Sequence, residues 1–511
     1  MEQTIKLTLF ALDSRIGRTG LGDLMNRAYV SNIKIGWRIA TILLLFSFHV
    51  SFSQRKSSPD STSSELIQIK KVFILGNEKT KRYIITRELK FEEGEYVPRD
   101  DLDEILELSQ NNVYNTNLFH TVEIQKLQLD SAQTDILIKV EERWYVWPSP
   151  VFRLADRSFN DWWYNRGHDL SRVNYGLKLD VYNFRGQKEN LRFIGLAGFE
   201  KRLIFQYAIP YIDKNQVHGL TFGGGFLSNK KLQYGTFDHL TYFTDTATAE
   251  STNREVTTGY IIYTYRPSFY DYHDFMVQFF DRKISDTIVK YNPNYYQDGA
   301  NTQKMILLSY TYRRDKRNNK NYPLTGYRTL AMLEKEGIGI FGDVDNWRLT
   351  ASHYQYFDLG KKFYANTSLG FQLSTFNDVA YFNYTQFGLQ NYFVRGFELT
   401  VIEGPLNLLT KNSLKYQLFK TQVDLGNYMP LTKFKKVPFA FYPKIILDAG
   451  YVQNYPYYED RSQNTRLTNS LLYSFGLGID VVMIYDLTFS YEMTYNSEGQ
   501  LNFFPNFTME F

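Results

Sequence analysis

The side chains that carry covalent or metal chemistry are spaced against it in this chain. Cysteine is absent, which removes disulfides, thiolate metal sites, thiol nucleophiles and a lipid-modified N-terminal cysteine together. The seven histidines are scattered, and none forms an HxxxH pair that would hold a metal from one helix face. No G-x-S-x-G elbow is present. Gly223-Gly224-Gly225 falls inside a strand-like segment, where it reads as close packing in place of a phosphate cradle. The acidic residues show no diagnostic spacing. The chain is therefore read as a non-enzyme with no cofactor and no metal. A formal charge of +4 over 511 residues gives no electrostatic footprint for nucleic acid. What remains is backbone chemistry, in which N–H and C=O groups are offered to or withheld from another chain. Three prolines matter here: Pro148 and Pro150 near the start of the strand-rich region, and Pro505 near its end. Proline cannot donate to a ladder and is confined to edges or bulges.

The elements that would position such groups are strands. Aromatic residues make up 17% of the chain (41 Tyr, 40 Phe, 6 Trp), and Tyr and Phe favour strands while Tyr and Trp favour the water–lipid boundary. Mean hydropathy is negative, which argues against a helical membrane protein but not against a barrel, where only alternate side chains meet lipid. From Trp147 onward the period is two. Leu487, Phe489, Tyr491, Met493 and Tyr495 alternate with Thr488, Ser490, Glu492 and Thr494, and Val173, Tyr175, Leu177, Leu179 and Val181 alternate with Asn174, Gly176, Lys178 and Asp180. About sixteen such segments can be counted. Short turns (183–190, 210–216, 358–362, 484–486) alternate with long polar segments (156–171, 229–253, 284–303, 377–409, 454–469). This is the pattern of an outer-membrane barrel with its long loops outside the cell and both termini in the periplasm. The fold expected is mainly β, a 16-stranded antiparallel transmembrane barrel over 144–511.

Ahead of the barrel, residues 39–50 form an apolar run, too short for the roughly 20 residues of a spanning helix. With Arg27, Lys34 and Arg38 before it and Ser51 and Ser53 after it, the run reads as a secretory signal cleaved after Ser53. A start at Met25 makes 25–53 a signal of ordinary length and 1–24 a mis-set start. Residues 54–65 read as a polar linker. Residues 66–143 then read as strand, helix from Thr80 (its cap) to Leu89, helix with Leu102, Ile105, Leu106 and Val113 on one face, and two strands. The first strand ends in a Gly76-Asn77 turn.

That order, with the GN turn and the segment NLFHTVEI, resembles a polypeptide-transport-associated (POTRA) domain. Three stretches of the barrel resemble the bacterial surface antigen superfamily of outer-membrane assembly factors. They are Asp315, Arg317 and Asn318 leading to Pro323 and Gly326; Val394-Arg395-Gly396-Phe397 between the eleventh and twelfth strands; and Leu447-Asp448-Ala449-Gly450 on the thirteenth. The resemblance implies that the Arg395 loop folds into the lumen. An unpaired charge there costs several kcal/mol, so Arg395 needs a partner, and Asp448 suits the planar guanidinium. The terminal NFTMEF, with Phe507, Met509 and Phe511 on the apolar face, resembles the β-signal of assembly-machinery clients. The expected partners are outer-membrane lipids, unfolded outer-membrane or secreted polypeptides, and subunits of an assembly complex. The POTRA domain would capture chains by edge pairing, and the proline-containing junction of first and last strands, short of ladder hydrogen bonds, would act as a lateral gate. The competing readings are a dedicated exporter of the two-partner kind, which usually carries two POTRA domains, and a passive structural barrel.

Overall fold

The computed structural model describes residues 65–128, 132–154, 168, 170, 173–244, 252–341, 344–376, 379–387, 393–398, 400–424, 426, 436–483 and 487–508. The signal segment, nearly all of the linker, the turn at 484–486, Met509 and Phe511 lie outside these residues.

The N-terminal unit contains β1 (Leu66–Leu75), α1 (Arg82–Thr86), β2 (Tyr96–Pro98), α2 (Leu102–Tyr114), β3 (Phe119–Gln128) and β4 (Gln133–Glu142). Its sheet runs β2-β1-β4-β3, with β1 parallel to β4. Period two buries Ile67 and Ile69 on β1 and Ile136, Ile138 and Val140 on β4, while α2 turns Leu102, Leu106 and Val113 onto that face. The helix expected from Thr80 to Leu89 is one short turn starting at Arg82, without a side-chain cap. Thr80 is engaged elsewhere: its N–H and Oγ1 both donate to Glu142 Oε1 at 2.7 Å, so it ties the turn to β4 and cannot cap. Gly76 has φ +91°, and a Cβ there would lie 1.9 Å from the Val140 carbonyl oxygen. Asn77 Nδ2 donates to the Thr80 carbonyl at 3.0 Å.

The barrel wall is built from β5 (Val146–Leu154), β6 (Val173–Phe184), β7 (Glu189–Gly198), β8 (Glu200–Ile209) and β9 (His218–Asn229), followed by a separate hairpin of β10 (Gln233–Phe237) and β11 (Leu240–Phe243). It continues through β12 (Arg254–Tyr265), β13 (Asp271–Ile284), the short α3 (Asp286–Tyr291), β14 (Thr302–Asp315), β15 (Gly326–Glu336), β16 (Asn346–Gly360) and β17 (Phe363–Ser374). After the two-residue strands β18 (Gln386–Phe387) and β19 (Ile402–Glu403) come β20 (Leu406–Tyr416), β21 (Phe419–Asp424), β22 (Lys436–Gln453), α4 (Pro456–Glu459), β23 (Leu471–Val482), β24 (Thr488–Asn496) and β25 (Leu501–Thr508). Both β20 and β21 pair with β22, so they share one wall position. The order closes from β25 back to β5, giving sixteen wall positions among the described residues. The segment expected as an inward loop at 377–409 runs from 375 to 405, because Leu406 already pairs with Leu373 in the ladder.

Alternation sorts the wall. On β23, Leu471, Tyr473, Phe475, Leu477 and Ile479 face out, while Leu472, Ser474 and Asp480 are buried inside. At the loop end, tyrosines do a second job that the strand period does not announce. Tyr295, Tyr296, Tyr381, Tyr384, Tyr455 and Tyr458 pack with Leu232 and Ile288 into a cap built from the long segments. Glu403 is buried within the cap and accepts hydrogen bonds from Thr236 Oγ1 (2.9 Å) and the Tyr458 hydroxyl.

Candidate functional site

The residues singled out in the sequence fall into three places: the lumen wall near the last strands, the turn end of the barrel, and the junction where β25 meets β5.

In the lumen, Arg395 and Asp448 form a bidentate pair, Nε to Oδ2 at 2.7 Å and Nη2 to Oδ1 at 2.6 Å. Asp448 is 1% exposed. The Arg395 N–H also donates to Asp448, and the guanidinium reaches Ser413 Oγ and Glu492 Oε1 (both 3.2 Å) and the Asn412 carbonyl (3.0 Å), six hydrogen bonds in all. Such full satisfaction is what a buried guanidinium requires. Gly396 follows with φ +95°, and a Cβ there would lie 3.0 Å from Thr494 Oγ1. Its carbonyl accepts from Asn496 Nδ2 (2.7 Å) and Asn502 Nδ2 (3.0 Å), so the loop grips β24 and β25 directly. Val394 and Phe397 are buried with Ile402, Leu409, Val452, Leu467 and Leu472. Gly450 lies between Leu409 on β20 and Leu472 on β23.

The pair is one end of a longer relay that motif matching does not show. Glu492 also accepts from Lys444 (2.7 Å), Lys444 contacts Asp480, and Asp480 is reached by Lys415 (3.2 Å) and the Tyr322 hydroxyl (2.9 Å). Gly478 leaves room for this: a Cβ would stand 2.8 Å from Lys444 Cε. A usable sequence signal existed, since Lys444, Asp448, Asp480 and Glu492 are charges at inward positions of lipid-spanning strands and each must find a partner.

Tyr322 belongs to the second place, the turn between β14 and β15. Arg317 forks onto Asp315 (2.9 and 2.8 Å), and the Asn318 side chain accepts the N–H groups of Leu324 and Thr325 (both 3.1 Å). Gly326 has φ +94°, with the Lys316 carbonyl 2.1 Å from a would-be Cβ. Pro323 stands half-buried beside Tyr322. This turn also docks the N-terminal domain. Asn115, at the end of α2, donates to the Asn318 carbonyl (3.1 Å) and accepts the Lys320 N–H (3.0 Å). Three other turns join in. Asn183 Nδ2 donates to Thr80 Oγ1 (2.8 Å), Arg87 Nε to the Gln216 carbonyl (3.1 Å), and Arg266 forks onto Glu88 (2.7 and 2.8 Å). Burial alone would raise the Glu88 carboxyl, but Arg266 and the nearby Lys188 hold it down at about 2. Sequence reasoning missed Glu88 and Arg266, which lie 178 positions apart in unremarkable surroundings.

At the junction, the direction of the proline gap follows from register. Tyr182 N–H donates to the Tyr145 carbonyl (2.7 Å), one step beyond the β5–β6 ladder. In an antiparallel pair both backbone groups of a residue point to the same neighbour, and they alternate along the strand. Trp147, Ser149 and Val151 therefore turn to β6, whereas Val146, Pro148, Pro150 and Phe152 turn to β25. On the other side, Asn496 N–H donates to the Gln500 carbonyl (3.0 Å), so even residues of β25 turn to β24 and odd ones turn to β5. Pro505, opposite Tyr491, is odd. All three missing donors thus face the same junction. Phe507 is opposite Phe489 in that last strand.

In the N-terminal domain, β3 is an edge strand paired on one side only. The opposite side of β1 is blocked, because the Val72 N–H donates to Glu93 (2.9 Å) and its carbonyl accepts from Arg82 (2.8 Å). A groove of about 440 Å³ lies between α2 and β3 and is walled by Asn318 and Asn319 of the barrel turn.

Comparison with known proteins agrees with this architecture. Residues 67–143 match the POTRA family profile, described as a surface antigen variable number repeat, and residues 183–491 match the Omp85 superfamily domain. Among solved structures the chain is similar to BamA from Haemophilus ducreyi lacking POTRA domains 1–3 (14% identity, 86% of this chain and 83% of that one, TM-score 0.48). It is also similar to CdiB from Escherichia coli (11% identity, 87% and 75%, TM-score 0.49) and CdiB from Acinetobacter baumannii (12%, 87% and 73%, 0.44). No curated protein matches it. With more than half of its length in the superfamily profile and a POTRA domain docked beneath a sixteen-position barrel, the chain belongs to the Omp85 superfamily, as an outer-membrane protein whose POTRA domain lies in the periplasm.

Proposed function

We propose that this protein helps unfolded polypeptides insert into the outer membrane, without nucleotide or cofactor, by offering them one open strand edge and then one that opens. The first is β3 of the POTRA domain, where an extended chain gains backbone hydrogen bonds independent of its sequence. The second is the junction between β5 and β25. The observation that carries the reading is the direction of Pro148, Pro150 and Pro505. Each removes a donor, and all three remove it from the one ladder whose separation would open the wall sideways.

Passage through the lumen, as a two-partner exporter would need, is the weaker reading. It requires the Arg395 loop to leave a site where it makes six hydrogen bonds. The native chain has no cysteine, so engineered pairs report cleanly. Cysteine pairs scanned across β5 and β25 are oxidised in protein reconstituted into liposomes, and the folding of a urea-denatured small barrel is followed by its gel shift. The locked form should lose catalysed folding and recover it on reduction. Full activity in the locked form would rule out the junction as the gate.

A further inference from the structure

Three of the seven histidines, unhelpful as a catalytic set, share an outward row at the turn end of the wall. His218 starts β9, His273 lies near the start of β13, and His353 faces Thr329 near the start of β15. Register puts His218 opposite Tyr265, Tyr265 opposite His273, and His273 opposite Tyr312, with ring centroids 5.6, 5.8 and 5.2 Å apart. The neighbours Tyr263, Phe275 and Tyr310 are exposed on the same lipid-facing side. The height of the row is set by the turns below it, 266–270 and 316–325, which hold the periplasmic POTRA domain.

One arrangement occurs three times. His218 Nδ1 meets the Tyr263 hydroxyl (2.6 Å), His273 Nδ1 the Tyr310 hydroxyl (2.9 Å), and His353 Nδ1 the Thr329 hydroxyl (2.9 Å). A hydroxyl donating to Nδ1 fixes the proton on Nε2. Nε2 has no protein partner in any of the three among the described residues, so in that tautomer each ring presents an N–H donor at head-group level. A tyrosine girdle alone needs no such device. Below the row, Lys316 lies against Tyr270 and Tyr327 (5.3 and 6.0 Å to the ring centroids), Lys90 of the POTRA domain lies over Tyr270 (4.6 Å), and Arg314 has Asp271 beside it (3.6 Å). Donors above and cations below match a phosphodiester.

We infer that the outward face of β9–β16 is a binding belt for phospholipid phosphates of the periplasmic leaflet, with His218, His273 and His353 as donors and Arg314 and Lys316 as the cationic rim. The inference rests on the barrel facing lipid and not on the polypeptide-handling reading, so the two fail separately. The test is native mass spectrometry of the full chain in nonionic detergent, titrated with phosphatidylglycerol or with a diacylglycerol of the same acyl chains. The wild type should retain phosphatidylglycerol in preference. H218F/H273F/H353F, which keeps the aromatic girdle, should retain about fivefold less or lower still, with diacylglycerol retention unchanged. If that variant does not show the heat-modifiable mobility of a folded barrel, Y263F/Y310F/T329V replaces it, because losing the orienting hydroxyls should also lower phosphatidylglycerol retention. Equal phosphatidylglycerol retention by wild type and folded variant, or no preference over diacylglycerol, would overturn the inference.

Discussion

Replacing Arg395 by alanine tests the pinned loop directly. The change removes five of the six hydrogen bonds and leaves Asp448 with backbone donors only, from residue 395 and from Asn412 (3.1 Å). Asp448 stays buried and keeps Lys411, opposite it on β20, as a nearby cation, so the cost is that of breaking a buried pair and not an exposed one, about 3–5 kcal/mol. Glu492 is spared, because Lys444 still holds it. At 1.4 kcal/mol per decade, the ratio of pinned to released loop should fall by roughly 10²–10³. Conductance in planar bilayers reads this ratio, since the plugged lumen gives small currents and release gives large ones. Arg395→Ala should lengthen the time at the high level by that order, and Asp448→Asn should act in the same direction. The double variant should add little to Arg395→Ala, because both changes break one interaction. Unchanged currents in Arg395→Ala, or effects that simply sum in the double variant, would refute the pin.

Restoring donors at the junction by Pro148→Ala, Pro150→Ala and Pro505→Ala should tighten it, by about 0.5–1.5 kcal/mol for each bond formed. The triple variant should melt later by gel mobility and fold clients more slowly; faster folding would contradict the gate. Glu88 should make POTRA docking acid-sensitive. Its carboxyl lies at about 2 when docked against an ordinary 4.5, so the contribution, on the order of 3 kcal/mol, is complete above about 4.5 and is lost as pH falls towards 2. Protease cleavage between the domains should rise over that window, and Glu88→Gln should be cleaved readily even at neutral pH. Gly326→Ala places a Cβ against the Lys316 carbonyl at φ +94°, and should cost about 1–3 kcal/mol and loosen the Asn115 contact, seen as faster amide exchange at Lys320.

The barrel was legible because its signal repeats: period two written across sixteen wall positions survives local irregularity. Arg395 and Asp448 could be paired once the family resemblance set the Arg395 loop in a lumen, where a guanidinium narrows the choice of partner. The docking contacts were not legible. Glu88 sits in the turn after α1 and Arg266 in the turn after β12, and nothing local to either announces the other. Thr80 shows the limit of local rules, since a good capping residue went to Glu142 when the fold brought a carboxylate within reach. The tyrosine cap was hidden by composition, because the same residue type serves the lipid face and the buried loops. The prolines could be found in the sequence but not aimed. Their direction needed two backbone bonds, at Tyr182 and Asn496.

Among the described residues, the turns that hold the POTRA domain join β6 to β7, β8 to β9, β12 to β13 and β14 to β15, so the grip described lies on the N-terminal half of the wall. The ring is then mechanically uneven. One arc is splinted from below by a folded domain, while the arc from β16 to β25, without such a contact among the described residues, carries the broken β20–β21 strand and ends at the proline junction. Any widening at that junction would be taken up as bending of the unsplinted arc. On the proposed function, an incoming chain would therefore meet a fixed lip on the β5 side and a yielding one on the β25 side.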